Sequence, residues 1–253
     1  MTDYTFTPIG YIRSCFTEKF GIPRQPGLVP EATARLEMIS DFQSVDAFRH
    51  LESFSHIWLL FVFHQCIRNN WKPTVRPPRL GGNRRVGVFA SRSGFRPNPI
   101  GQSAVELTSV ERSRRRIVLH LKGIDLLDGT PVLDIKPYLP YSDSLPMARS
   151  GYAPGPPSVC TEVFFSPEAE QVCADLEQTA YPRLKRLITA LLALDPRPAY
   201  AETAGKRPHG MRLWDLNIKF SVTSDRITVE SISPASAPSS NSADSGPLRP
   251  FLA

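Results

Sequence analysis

Long apolar runs are missing from this 253-residue sequence. The longest uninterrupted one, Ile57 to Phe63, is strand-sized and far short of the roughly 20 residues that a membrane-spanning helix needs. No apolar core follows a basic start in the first thirty residues, so the sequence predicts a soluble, cytoplasmic protein without a signal peptide. Cysteine is scarce. The four residues Cys15, Cys66, Cys160 and Cys173 form no C-x-x-C pair, which argues against a disulfide framework and predicts reduced, mostly buried thiols. Several chemical signatures are also absent. No G-x-G-x-x-G follows an expected strand, and no G-x-S-x-G elbow occurs. Gly82 to Gly87 has the spacing of a phosphate-binding loop, but Val88 stands where that loop requires lysine. His56, His64 and Cys66 share strand parity, yet the two histidines lie about 26 Å apart along an extended strand at about 3.3 Å per residue. They cannot share an ion, so no metal site is expected.

Acidic residues are absent between Glu52 and Glu106. That gap holds Arg68, Lys72, Arg76, Arg79, Arg84, Arg85, Arg92 and Arg96, and a second basic cluster follows at Arg112, Arg114, Arg115 and Arg116. Overall, 30 basic against 24 acidic residues give a net charge of +6. One-sided charge repels itself unless an anion lies against it, and phosphate backbones are common anions of that kind. A solvated loop is the competing reading.

An apolar fraction of 41% is sufficient for a buried core. Strand patterns dominate the first 140 residues: Thr5 to Ser14, Ala34 to Ile39, His56 to His64 (buried on both faces), Val86 to Arg92, Ser103 to Val110, Ile117 to Ile124 and Val132 to Ile135. Val45 to Phe54 has helical spacing. Six or more strands with one short helix predict a barrel or a strongly curved sheet. The Pro/Gly-rich stretch Pro146 to Pro157 reads as a linker. Beyond it the pattern is strand (Val159 to Phe165), helix (Pro167 to Glu177), helix (Tyr181 to Leu194) and two strands (Met211 to Val222, Arg226 to Ile232). The expected fold is therefore mainly β: an N-terminal barrel over residues 1–145, a small α+β domain over 158–233, and a disordered Pro/Ser/Ala-rich tail over 234–253.

Three segments could carry chemistry. Arg92 to Gly101 sets Arg92, Arg96 and Asn98 on a loop stiffened by Pro97 and Pro99, suited to a polar, partly anionic ligand. A stiff turn with solvated arginines remains open. Asp134, Lys136 and Tyr138 have period-two spacing, so a strand places them on one face. A carboxylate, an ammonium and a phenol together can handle a proton, with a solvated strand face as the alternative. Gly21 to Leu28 is a Gly/Pro loop around Arg24 and Gln25.

Taken together, these stretches resemble the TrmO family of tRNA methyltransferases. The likeness rests on Pro8-Ile9-Gly10, Ile22-Pro23-Arg24-Gln25-Pro26-Gly27, Phe54-Ser55-His56-Ile57-Trp58, Phe63-His64-Gln65, Gly87 to Ser93, Arg96 to Gly101, Gly123 to Pro131, Asp134 to Tyr138 and Asp195 to Tyr200. The resemblance implies a β-barrel that binds S-adenosylmethionine, homodimers with the cofactor near the subunit interface, and N6-methylation of threonylcarbamoyladenosine at position 37, in the anticodon region of tRNA. It places Pro23, Arg24, Gln25, His64, Gln65, Arg92, Gln102 and Ile124, Asp125, Leu126, Leu127 and Asp128 at the cofactor. Arg68, Arg84, Arg85, Arg96, Asn98 and Arg197 are the expected RNA contacts. The acceptor nitrogen lies between a purine and a carbonyl and is a poor nucleophile until its proton leaves. Asp134 or Tyr138 is expected to take that proton, with Lys136 stabilising the developing charge. The alternative is a non-catalytic RNA-binding protein using the basic segment 68–96.

Overall fold

The computed structural model describes residues 3–113, 116–157, 162–197, 208–223 and 226–235. Arg114, Arg115, Cys160, the segment Pro198 to Tyr200 and all but the first two residues of the expected tail lie outside them.

The strands of the first half are β1 (Gly10–Ser14), β2 (Thr33–Met38), β3 (His56–Val62), β4 (Thr74–Val75), β5 (Val86–Gly87), β6 (Ile100–Ser113), β7 (Arg116–Lys122) and β8 (Pro131–Pro137). Six of them close a barrel in the order β1-β2-β7-β6-β3-β8, every neighbour antiparallel. The physical cause is the period-two alternation. Ile12, Leu36, Ile57, Leu59, Phe61, Val105, Ile117, Leu119 and Val132 face inward and are buried, each contributing about 1.5–3 kcal/mol by leaving water. Closure also removes the free edges an open sheet would expose.

The second half follows a short helix, α1 (Pro140–Asp143), and comprises β9 (Glu162–Phe165), α2 (Pro167–Thr179), α3 (Leu184–Ala193), β10 (His209–Leu213), β11 (Leu216–Thr223) and β12 (Arg226–Pro234). The strands form a sheet in the order β10-β11-β12-β9, with β9 parallel to β12. Ser166 starts α2 by accepting from the Ala169 amide at 3.1 Å, with Pro167 at the first helical position. The buried stripe Leu184, Leu187, Ile188, Leu191 and Leu192 of α3 joins the core. No helix among the described residues is long and apolar enough to cross a membrane.

The mainly β architecture with a closed barrel is as expected, but several local expectations fail. Val45 to Phe54 is no helix. It splits into 3-10 turns at Val45–Phe48 and Leu51–Ser53, because His50 between them takes a left-handed conformation at φ 62°. Val86 to Arg92 pairs only over Val86–Gly87, since the two-residue β4 is its partner. Met211 to Val222 is a hairpin. Trp214, at φ 52°, turns the chain so that Leu213 pairs with Leu216. The first helical turn expected after Tyr181 is lost to Arg183, at φ 63°, so α3 begins at Leu184. Strand β3 is buried on one face only: Trp58, Leu60 and Val62 on its outer face are half-exposed.

The topology positions the site. Strands β1, β3 and β7 run in one direction, so the connections that follow them emerge at the same end of the barrel. These are residues 15–32, 63–99 and 123–130. The first and third are pinned together by Gly27 N donating to Gly123 O at 2.8 Å, Ile124 N to Ala32 O at 3.1 Å and Asp128 N to Phe16 O at 2.8 Å. The long middle connection leaves β3 and re-enters its neighbour β6. Phe63 N donates to Pro99 O at 2.7 Å and closes its neck.

Candidate functional site

A cavity of about 870 Å³ lies at that end of the barrel. Its wall combines the three connections with the adjoining ends of β3 and β6. Pro23, Arg24, Gln25, His64, Gln65, Arg92, Gln102, Asp125, Leu126 and Leu127 all line it, as do Arg96 and Asn98. Ile124 lies behind the wall, fully buried. Asp128 points elsewhere: it accepts from the Ser14 amide at 3.0 Å and lies 3.9 Å from the Arg13 guanidinium.

The polar groups of the cavity hold one another. Arg92 Nη1 donates to Gln25 Oε1, and Gln25 Nε2 donates to the Arg24 carbonyl, which ties the first connection to the second. Lys19 Nζ donates to Gln65 O at 2.8 Å. Burial and the nearby Lys19 ammonium lower the His64 pKa, so this imidazole is neutral near pH 7. The Asp125 carboxylate is recessed in the wall and accepts from Ser103 Oγ at 2.8 Å. Burial raises its pKa to about 6, against the opposing influence of the Ser103 hydroxyl and the Arg92 charge. Ser103, 2% exposed, is a polar group at an inward position of β6. That break in an otherwise apolar alternation is the sequence signal that could have identified it. Lys19, Trp58, Phe63 and Phe89 also line the cavity and were missed.

The C-terminal part touches this wall from behind. Arg24 Nη2 donates to Arg197 O at 3.4 Å, while the Arg197 guanidinium holds Asp195 at 2.8 and 2.9 Å. Arg212 N donates to Glu18 Oε1 at 3.0 Å, and Trp214 N to Cys15 O at 2.8 Å. Gly21, at φ +87°, packs so closely on Met211 that a Cβ would lie 2.4 Å from its sulfur. Arg197 is thus brought to the Gly/Pro loop of Arg24.

Asp134, Lys136 and Tyr138 do not line the cavity. The register pairs Asp134 with Leu60 and Lys136 with Trp58, which sets them on the outer barrel face. Lys136 and Asp134 form an exposed ion pair at 2.8 Å. The Tyr138 ring packs on Trp58 at 5.5 Å, and Trp58 joins the trio to the cavity wall. The Trp58 indole is fixed by donating to Asp143 Oδ2 at 2.9 Å.

Of the expected RNA contacts, Arg68 and Arg85 line a neighbouring cavity of about 620 Å³ that shares Cys66 and Arg96 with the first. Arg84 is exposed beside it. The second basic cluster is different in kind. Arg112 pairs with Glu52 and Arg116 with Glu37, both at 2.8 Å, so its charge is met within the chain. The residues expected to form a linker lie along the long connection, with Tyr152 Oη donating to Ala90 O at 3.0 Å. Among the described residues, no three His, Cys, Asp or Glu side chains are grouped to hold a metal.

Comparison with known proteins agrees with this architecture. The sequence model of the tRNA-methyltransferase O N-terminal domain matches residues 11–144, and that of the TrmO C-terminal domain matches 158–235. The chain is 50% identical over 236 residues to the tRNA (adenine(37)-N6)-methyltransferase of Escherichia coli strain K12, covering 92% of this chain and 100% of that protein. It is 37% identical over 147 residues to a probable S-adenosyl-L-methionine-binding protein of Pyrococcus abyssi, covering 58% and 74% respectively. The crystal structure of TrmO from Pseudomonas aeruginosa superposes with a TM-score of 0.77 at 43% identity, over 92% of this chain and 99% of that one.

Proposed function

The chain belongs to the TrmO family of tRNA methyltransferases, and from that membership we propose that it transfers a methyl group to N6 of threonylcarbamoyladenosine at tRNA position 37. It is an S-adenosylmethionine-dependent tRNA methyltransferase acting on adenosine 37. The threonylcarbamoyl group, recognition of the anticodon region, the homodimer and the cytoplasmic setting are our reading. The observation that carries it is the cavity where Arg92, Gln25 and Asp125 converge, beside a neighbour whose charged lining residues are all basic.

The residues present fit the cofactor. Asp125 offers a recessed anion to a positively charged group, Arg92 a guanidinium to a carboxylate, and Phe63 and Leu126 apolar wall to a purine. When bound, S-adenosylmethionine supplies an electrophilic methyl group on a sulfonium. With the cofactor held there, the chain's own part would be to keep the acceptor nitrogen in line with the methyl group and to provide a base for the proton that nitrogen gives up. His64 stays uncharged beside the Lys19 ammonium, and Asp125 is held by Ser103 within the influence of Arg92. The half-exposed outer face of Trp58, Leu60, Val62 and Ile100 is suited to a second copy of the chain. Asp134, Lys136 and Tyr138 border that face, and we assign the proton to them.

Two measurements test the reading. Purified protein given S-adenosylmethionine and unfractionated tRNA should add one methyl group to the threonylcarbamoylated adenosine, seen by nucleoside mass analysis. Methylation of unmodified adenosine alone would refute the assigned substrate. Asp134→Ala, Lys136→Ala and Tyr138→Phe should each lower turnover by about 10²-fold, the usual order for a lost acid–base group, with cofactor affinity unchanged. Near wild-type turnover in all three would make the trio structural.

A further inference from the structure

Two aromatic rings on the long connection face solvent side by side. Trp71 is 51% exposed and Phe89 74% exposed, with ring centroids 6.3 Å apart and planes tilted by 40°. Their supports are ordered. The β4–β5 ribbon pairs Thr74 with Gly87 and Val75 with Val86, Val88 N donates to Pro73 O at 2.9 Å, and the Val88 side chain is buried. The fold therefore holds two large apolar rings outward on a stiff support, at a cost in exposed apolar area that packing does not recover.

Their position is specific. Phe89 lines the cofactor cavity. Trp71 lines the adjoining one, whose wall includes Arg68, Lys72, Arg76, Arg85 and Arg96 and no carboxylate. The third ring there, Phe95, is already covered by the Arg68 guanidinium at 4.1 Å. A contiguous strip thus runs from the methyl-donor cavity over two uncovered rings into a pocket of positive charge. Flat rings beside unpaired cations match single-stranded nucleic acid, whose bases stack on aromatics while phosphates meet arginine and lysine.

We propose that the Trp71–Phe89 pair is a stacking shelf for the unpaired nucleotide adjacent to the target adenosine, with the neighbouring cations holding that nucleotide's phosphate. The proposal rests on the functional reading above and adds a subsite to it. The target base must enter the cavity that holds the cofactor. The next nucleotide along the strand then lies over the rim, where Phe89 passes to Trp71. Neither the charge nor the cofactor groups alone would require rings at that place.

The test uses an anticodon stem-loop carrying threonylcarbamoyladenosine, made intact and with an abasic site on either side of that nucleotide. Dissociation constants decide the shelf, and methyl transfer to the intact loop decides the reaction, so the two readings fail separately. Wild-type protein should bind one of the two abasic loops about 10- to 100-fold more weakly than the intact loop, the order of one base–aromatic stack. Trp71→Ala should lose a similar factor on the intact loop and no longer distinguish it from that abasic loop, while binding S-adenosylmethionine normally. Trp71→Phe should restore most of the discrimination. If the losses from Trp71→Ala and from the abasic site multiply, or if wild-type protein binds all three loops equally, the shelf is refuted.

Discussion

Asp125→Asn should abolish the pH dependence of S-adenosylmethionine binding between about pH 5 and 7 and weaken binding at neutral pH by one to two orders of magnitude. The sign follows from the raised pKa. The folded carboxyl titrates near 6 rather than near its ordinary value of 3.8, chiefly because burial disfavours the charge. Above pH 6 the group is an anion in the cavity wall. Below it the group is protonated and offers no charge to the cofactor. Affinity of the wild-type protein should therefore fall as pH falls through about 6, by up to about tenfold per unit. The asparagine variant, still able to accept from Ser103 Oγ, should be flat across the same range. Stability should move the other way. An unfolded aspartate ionises near 3.8, so the ligand-free protein should lose on the order of 2–3 kcal/mol as pH rises from about 4 to 6, and the variant should not. Calorimetric titration and thermal unfolding at stepped pH read both effects. A variant that keeps the wild-type slope of affinity against pH would remove Asp125 from the cofactor site.

Gly101→Ala should both destabilise the barrel and close part of the cavity. Gly101 stands opposite Phe61 in the β3–β6 ladder, where a Cβ would lie 2.3 Å from two ring carbons of Phe61 and 2.9 Å from Phe63. Phe61 is buried and its ring meets Phe63 edge to face at 5.0 Å, so neither ring can move alone. Overpacking of a filled core costs about 1–3 kcal/mol, a fall in Tm of roughly 2–12 °C for a chain of this size. Phe63 lines the cavity, so cofactor affinity should drop as well. Gly87→Ala, where nothing lies within 4 Å of the added carbon, should leave Tm unchanged. Adding Phe61→Leu to Gly101→Ala should recover part of the loss, since it vacates the space the methyl needs. A wild-type Tm in Gly101→Ala alone would show that the two rings are free to shift.

Much of the barrel was legible because inward and outward positions alternate along β1, β2 and the first half of β6, and alternation is a local property. The errors fell where one backbone conformation decided the outcome. His50, Arg183 and Trp214 each take positive φ, and their side chains do not announce it as glycine would. Ten of the cofactor positions expected from the family motifs do line one cavity. Asp128, next to three of them in sequence, turns to Ser14 and Arg13 instead. Ser103 was overlooked because its partner Asp125 is 22 residues away in sequence.

The sequence by itself determined which groups are available and in which order: an acid-free arginine stretch, Gly/Pro loops that can bend sharply, and strands with one apolar face. Those are matters of composition and period, which neighbouring residues suffice to establish. Only the tertiary structure decided how they meet. Because β1, β3 and β7 run the same way round the barrel, three connections distant in the chain converge at one end. The same closure puts Asp134 and Lys136 on the outer barrel face, which they share with the cavity-lining Trp58 and Gln102. It leaves the Arg68 to Arg96 stretch without contact ion pairs among the described residues, while Arg112 and Arg116 find Glu52 and Glu37. Whether a charge is neutralised depends on what lies within a few ångströms of it, and strand pairing across the barrel sets those distances.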